Sequence, residues 1–557
     1  MSDTLTPSGL QSSAGLYGSC GVYQFDRNGA IFNPLDLNPY LLFDAESSMI
    51  GTLENPTLDL DPTKQESLDV ITATRAGTAT YTDVNGLIAS APANTVRVDH
   101  VDGVPMILVE PSATNLVPYS ADFSHGSWTK ESGTVVIANT TETNSPTGSS
   151  DASKITSNGS KGLYYASGSS ASLNTKSVFL KGVSGGEQVI LKDPWGVVTQ
   201  KTLTLTTEWV RYSLTETQSG NFGIWIDNIP ANGIYMWGAQ LETGSLTSYI
   251  PTSGSTVTRA KDDLSIDPDS TNHITNTDFS TWGTQNITVS SGGGFSGYSS
   301  SIITATGTGN KFFTATLSGV TAGQTHTGSI YIRRTNGSGR VDFVHPNSTS
   351  GSDSSNRTIT TDWTRVTCQF NGSTSSGVVT QFQIRMFTAG DSLEIAMPQV
   401  ELGSSPTGFI PTSGAASSRT AFSDFYNQSE GTVYVEFNPR ELASANNTTL
   451  DFSNGTGTER ILSLAYSSYH VYVVDGGVEQ AHLDGGTYTV GAVNRLAFSY
   501  KANNIQASVG GGSVVTDTSA SIPTVDRLQI GASYANAAQL NGHLKRLIFW
   551  PVSSERL

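Results

Sequence analysis

Three aromatic side chains, Trp225, Tyr235 and Trp237, stand where their rings could meet a sugar. Trp225 alternates with Phe222, Ile224 and Ile226, and Tyr235 and Trp237 alternate with Ile234 and Met236. A period of two puts the aliphatic set on one face of a strand and the three rings on the other. Exposed rings supply flat, stiff apolar area with polar edges, which suits the C–H face of a saccharide. These three residues are therefore the candidate carbohydrate contacts. A few positions further on lie Gln240 and Glu242, matched later by Gln399 and Glu401. Such carboxylates have the oxygen chemistry that calcium accepts. They serve equally to hold loop backbone or to pair with arginine, and Arg259 and Arg419 follow at the right place. No cofactor other than calcium is suggested.

Catalytic patterns are missing. There is no Gly-x-Ser-x-Gly elbow, no His-Glu-x-x-His, no phosphate loop and no Cys-x-x-Cys, and the eight histidines show no metal-ligand spacing. Glycoside cleavage needs two carboxylates paired in space. Glu436 with Glu479, and Asp362 with Glu401, are the pairs that could do it. The expectation is a protein that is not an enzyme.

The elements that position these residues come from a repeat. Tyr249-Ile250-Pro251-Thr252-Ser253-Gly254 returns as Phe409-Ile410-Pro411-Thr412-Ser413-Gly414, an offset of 411 − 251 = 160. Trp209-Val210-Arg211 returns as Trp363-Thr364-Arg365, an offset of 363 − 209 = 154. Offsets that drift by a few residues describe two copies of one domain with different loops. Between the copies Phe222, Ile224 and Ile226 become Phe382, Ile384 and Met386, so that face stays apolar. Trp225, Tyr235 and Trp237 become Arg385, Glu394 and Ala396, so the other face changes. Trp209 and Trp363 occur in both copies and read as packing pillars.

The composition is that of a β protein. Only 14% of the 557 residues are charged, Gly numbers 57, and no long helical period occurs. The net charge of −17 argues against nucleic acid and against anionic membrane surfaces. No apolar run of about 18 residues spans a bilayer. The N-terminal residues lack a basic start and an apolar core, so no secretory signal is expected and release by lysis is the expected route out of a cell. Cys20 and Cys368 lie far apart and make no disulfide framework.

The chain divides into an irregular N-terminal arm over residues 1–66, a β-rich connector over 67–114, a first repeat over 115–258, a second over 259–419, and a third unit over 420–557. The strings TRAGTATYTDVNGLIASAPANTVRVDH and ILVEPSATNLVPYSADFSHGSWTK, from Thr74 to Lys130, resemble a segment of tailed-bacteriophage structural proteins. There it precedes domains similar to carbohydrate-binding modules of the jelly-roll type. In the third unit, Leu528-Gln529-Ile530-Gly531 and Leu540-Asn541-Gly542-His543-Leu544-Lys545-Arg546-Leu547 resemble concanavalin A-like, laminin-G-like lectin sandwiches. The resemblance implies tandem antiparallel β-sandwiches, two jelly rolls and a concanavalin A-like unit, behind the arm. It implies a virion protein, in the tail rather than the head. The expected role is a fibre or spike that binds host surface polysaccharide, docks on other virion proteins through the arm and forms a homo-oligomer, a trimer. The alternative is a capsid decoration or head-fibre protein.

Overall fold

Turn chemistry and β-branched runs set the local structure. Asp102 and Gly103 both adopt positive φ, 51° and 78°, and join Val98–Val101 to Val104–Val109 as a tight hairpin. A longer loop over 83–87, with Gly86 at φ 77°, turns Ala79–Thr82 back onto Ile88–Ala91. The computed structural model describes residues 56–554 apart from 159–160, 171, 195–198, 218–219, 296–297, 346–358, 375–376, 405 and 441–446. The helix found among them is the five-residue Gln65–Asp69, and the rest of the regular structure is antiparallel strand. No helix there is long and apolar enough to cross a membrane.

Each repeat is a sandwich of two sheets. In the first, Val210–Thr217, Leu173–Gly182, Ile234–Thr243, Ser153–Ser157 and Thr134–Ile137 form one sheet. Gln200–Thr204, Gln188–Lys192, Gly220–Ile229, Lys161–Ser170 and Thr129–Lys130 form the other. Phe222, Ile224, Ile226, Ile234 and Met236 meet between them, as their alternation predicts. In the second repeat Ile287–Ser291, Ser300–Ala305, Ser392–Leu402, Thr325–Asn336 and Thr364–Asn371 face a four-stranded sheet of Gly283–Gln285, Lys311–Thr316, Gln381–Met386 and Val341–Val344. Phe382, Ile384 and Met386 lie in its core.

The third sandwich is assembled from distant parts of the chain. Its larger sheet holds Glu430–Pro439, Asn494–Lys501, Asn504–Val509, Val515–Asp517 and Gly542–Trp550, together with Val98–Val101, Val104–Val109 and Leu58–Leu60. Its other sheet adds Thr72–Thr74 and Asp263–Ile266 to five strands from residues 447–530. Leu58, Leu60, Ile107, Val109, Leu264 and Ile266 are buried in the same core as Phe437, Phe452 and Phe549. Residues 56–66, expected in an irregular arm, therefore belong to this sandwich, where Leu60 pairs with Leu547. The sequence hides this because a three-residue strand shows no periodicity and its partner lies hundreds of residues away. Residues 1–55, the rest of the expected docking arm, and Cys20 with them, lie outside the described residues.

The two repeats are thus inserted between strands of one host sandwich. Each is closed at its base by a two-stranded clasp, Ala113–Asn115 with Val257–Arg259 and Ser270–Asn272 with Ser417–Arg419. The repeated hexamer completes each closure. The Asn115 amide donates to the carbonyls of Ala239 and Ile250 and its oxygen accepts from Val117 and Leu241. Asn272 does the same with Pro398, Ile410, Ile274 and Val400.

At the junction of host and first repeat, charge is buried. Arg97 pairs with Glu110 at 2.8 Å and with Asp262, and Arg75 holds Asp262 at 2.9 Å. Arg259 lies 3.4 Å from Glu110, and Arg440 reaches both Glu110 and Asp99. The backbone N–H of Ser248, just before the hexamer, donates to Glu110 at 2.6 Å. Burial opposes ionisation of Glu110, but Arg259, Arg97 and Arg440 hold its carboxyl well below the usual range. Removing one member of such a cluster strands the rest in a dry interior, at a cost of about 3–5 kcal/mol. Glu110→Gln is accordingly expected to lower the stability of host and first repeat together by that amount. Urea unfolding followed by far-ultraviolet circular dichroism and by tryptophan fluorescence checks this, and a shift below about 1 kcal/mol would contradict it.

Candidate functional site

The outer sheet faces of the two repeats can be compared strand by strand. In the first, Tyr164, Trp225 and Lys192 lie side by side across three paired strands. Trp225 is half-buried, its ring centroid 5.4 Å from that of Tyr164. The Lys192 ammonium sits 3.8 Å over the indole and is held there by Asp227 at 2.5 Å. One face of the Trp225 ring is thus covered by a cation rather than open to a ligand.

In the second repeat the corresponding row is Phe312, Arg385 and Asp342. Arg385 lies over the rings of Phe312 and Phe387, at 5.3 and 4.8 Å. The next row along the strands is Gly283, Thr314 and Gln383, followed by Thr316 and Gln381. These rows form an open groove of about 370 Å³ that Gln285 and Thr281 complete. Side chains at Phe313, Ala315, Phe382 and Ile384 point the other way into the core, so the groove residues are fixed by strands that cannot rotate. The absence of a side chain at Gly283 leaves room beside Thr314. Amides and hydroxyls both donate and accept hydrogen bonds. The groove therefore fits a ligand dense in hydroxyl groups.

The structure separates the three rings read as one surface. Trp225 lies on one sheet of the first sandwich, and Tyr235 and Trp237 lie on the outer side of the opposite sheet. Tyr235 and Trp237 are only 7% and 3% exposed. Loops bury them: Tyr235 Oη donates to Glu142 at 2.9 Å, and Trp237 Nε1 donates to Asp151 at 3.1 Å. Trp237 also packs on Phe179 and Tyr249, with Trp209 and Ile88 at the edge. The second copy explains the change of residue type. Ala396 takes the place of Trp237, and Phe295 fills the space, stacked on Trp363 at 4.5 Å and near Tyr331 at 4.8 Å. Glu394, in place of Tyr235, binds Arg333 and the N–H of Gly293. The aromatic-to-small changes are repacking under different loops. Trp237→Ala is expected to destabilise the first sandwich by about 3 kcal/mol through the cavity it leaves. An unchanged thermal unfolding midpoint would return the ring to the exposed surface.

The shared polar residues hold backbone. A bulge at Gly238 (φ 61°), repeated at Met397 (φ 51°), carries Gln240 and Glu242, and Gln399 and Glu401, beneath the hexamer loops. Gln240 accepts from the N–H of Ile250 and Glu242 from that of Thr247, at 2.6 and 3.1 Å. Gln399 and Glu401 do the same for Ile410 and Thr407. Arg259 and Arg419 pair with Glu110 and Asp267 instead of these glutamates. No group of three or more His, Cys, Asp or Glu side chains arranged to hold a metal occurs among the described residues. The pairs considered for glycoside cleavage are apart. Glu436 and Glu479 lie on opposite sheets of the host. Glu401 pairs opposite Thr327, whereas Asp362 lies beyond Thr364 at the strand end opposite Ile332.

Two buried polar groups were not foreseen. Lys176 reaches Asp193 at 2.6 Å and also contacts Glu216. Burial, and the hydrogen bond that its protonated carboxyl donates to Glu216, push Asp193 up to about 6. Lys176 shares the parity of Val178 and Leu180, and that was its sequence signal. The second group is His345, whose Nε2 lies 3.6 Å from Cys368 Sγ. Burial drives this imidazole down to about 3, so it cannot take the thiol proton and the pair is no nucleophile–base dyad. The folded chain then binds fewer protons than the unfolded one between pH ~6.5 and ~3, and stability is lost as pH falls through that window. His345→Phe is expected to make the second sandwich less sensitive to acid, read as a smaller drop in urea midpoint between pH 7 and 4.5. An unchanged drop would mean that this imidazole is protonated in the folded state.

No family model matches the chain, and no curated protein matches it. Among solved structures, the Ruminococcus gnavus IT-sialidase CBM40, bound to α2,3-sialyllactose, aligns at 15% identity over 23% of this chain and 79% of its own, with a TM-score of 0.21. The tandem CBM22-1–CBM22-2 domain of Paenibacillus barcinonensis Xyn10C aligns at 12% identity over 53% of this chain and all of its own, with a TM-score of 0.19. Mouse laminin α1 domains LG4-5 align at 13% identity over 43% of this chain and 87% of their own, with a TM-score of 0.18. Each likeness covers only part of the chain, and the assignment of tandem β-sandwiches rests on the sheets described above.

Proposed function

We propose that this chain is a carbohydrate-binding virion protein, a tail fibre or spike that attaches to host surface polysaccharide without cleaving it. The observation that carries the glycan reading is the groove of the second sandwich, with Gln285, Gln381, Gln383, Thr314 and Thr316 around the Phe312 ring and Arg385 beside it. Hydroxyl-rich ligands need many groups that both donate and accept, backed by some apolar area, and this face supplies both. An open groove buries little of a ligand, so each site is weak. Several copies, as in a homotrimer, raise the effective concentration and add roughly 10²–10⁴ in avidity. The virion reading rests on the resemblance from Thr74 to Lys130, and docking on other virion proteins is assigned to the N-terminal residues.

The test uses purified full-length chain on a bacterial polysaccharide array. Phe312→Ala combined with Gln383→Ala is expected to reduce retention about tenfold or more with the unfolding midpoint within about 1 °C, since solvent-facing changes cost little stability. A folded double variant that binds as well as the parent would overturn the groove as the site. Immunogold labelling of intact particles then separates the tail from the capsid; label confined to the head would favour the decoration role.

A further inference from the structure

The exposed outer face of the host sandwich carries a second arrangement, unrelated to the groove. His470 and Tyr472 lie on Tyr469–Asp475, and His482 and Asp484 on the adjacent Val478–Gly486. In register, His470 faces Asp484 and Tyr472 faces His482. His482 Nε2 lies 3.1 Å from His470 Nδ1. The other nitrogen of His470, Nε2, lies 3.1 Å from Ser468 Oγ, and Ser468 hydrogen-bonds in turn to Asp484. Asp484 is itself fixed by the N–H of Gly486 at 3.1 Å. The His482 ring stacks on Tyr472, with centroids 4.0 Å apart and planes 24° apart.

From this geometry we infer a site for one divalent transition-metal ion of borderline softness, of the Zn²⁺, Ni²⁺ or Cu²⁺ class, held by His470 Nδ1 and His482 Nε2. Metal–nitrogen bonds of about 2.0–2.1 Å place two nitrogens of a tetrahedral ion roughly 3.3 Å apart, and cis nitrogens of an octahedral one roughly 2.9 Å apart. The observed 3.1 Å falls between them. The line from Asp484 through Ser468 fixes the tautomer of His470. Its Nε2–H donates to the hydroxyl, the hydroxyl donates to the carboxylate, and Nδ1 is left with its lone pair. This is the outer-shell arrangement that orients metal-binding imidazoles. His482 Nε2–H then donates to that lone pair. When the ion enters, His482 moves its one ring proton from Nε2 to Nδ1, so both rings stay neutral and no other base is needed. Asp484 acts through Ser468 and is not a third ligand, so the remaining positions of the ion are left to water. Imidazole donors favour these ions over calcium or magnesium, which take oxygen.

The test is isothermal titration of the full-length chain with ZnCl₂, and separately NiCl₂, at about pH 7.5. A site of micromolar affinity is expected that the paired change His470→Gln and His482→Gln removes, lowering the stoichiometry by one. Ser468→Ala is expected to weaken it about tenfold by releasing the tautomer. With Cu²⁺ the parent should show an imidazole-ligated electron paramagnetic resonance spectrum that the paired variant loses. Both variants should keep the metal-free unfolding midpoint, because these residues lie on the outer face. A parent that binds neither ion up to about 1 mM, or a folded paired variant that binds with unchanged stoichiometry and affinity, would overturn the site. Unchanged affinity in Ser468→Ala would overturn the orienting role of the hydroxyl.

Discussion

Four guanidinium groups and three carboxylates have to leave water together for this chain to take its shape. Arg75, Arg97, Arg259 and Arg440 meet Asp99, Glu110 and Asp262 where the connector, the end of the first repeat and the host sandwich converge. Desolvating so many charges is unfavourable unless each finds its partner with good geometry. The contributing segments are separated by up to several hundred residues, and the pairs Arg75–Asp262, Arg259–Glu110 and Arg440–Asp99 tie one segment to another. The cluster therefore selects one arrangement of host and insert. It also reaches the repeated hexamer directly, because Glu110 holds the N–H that precedes Tyr249. The second repeat uses a lighter version, in which Asp267 holds the N–H of Gly408 and pairs with Arg419.

What the sequence shows depends on how far each signal reaches along the chain. Alternation over five or more residues identifies strands and their inner faces, and Phe222 to Ile226 and Phe382 to Met386 are core in both copies. Asn-Gly and Asp-Gly mark the hairpins at Asn85-Gly86 and Asp102-Gly103, because only a few residues tolerate their backbone angles. The hexamer marks the repeat because its loop is tied to a buried asparagine and glutamine in each copy. Leu58–Leu60 and Asp263–Ile266 leave no comparable trace. They are too short for a period, and only the sheet they complete gives them their conformation.

The candidate site was legible in part, for a specific reason. Comparing two copies separates a face that stays apolar from one that varies, and that separation is correct. Variation alone does not tell a binding surface from a second packing layer beneath a loop. At Tyr235 and Trp237 the second layer accounts for it, with Phe295 supplying in one copy the ring that Trp237 supplies in the other. The groove on the second repeat was missed because its lining of Gln, Thr and Gly looks like any solvated strand face. Only the register across Gly283, Thr314 and Gln383 brings those residues into one hollow.

The two clasps give the chain a modular economy. Thr114 pairs with Thr258 and Thr271 with Ser418, so each insert enters and leaves the host at neighbouring points. Paired residues on antiparallel strands lie about 5 Å apart, a gap that a tight turn can close. An insert of that kind is an exchangeable cassette. Recombination within the clasp could replace one jelly roll by another of different surface chemistry while the ends of the host strands stay where they are. A lineage could change the surface of an insert in a single genetic step and leave the host sandwich untouched.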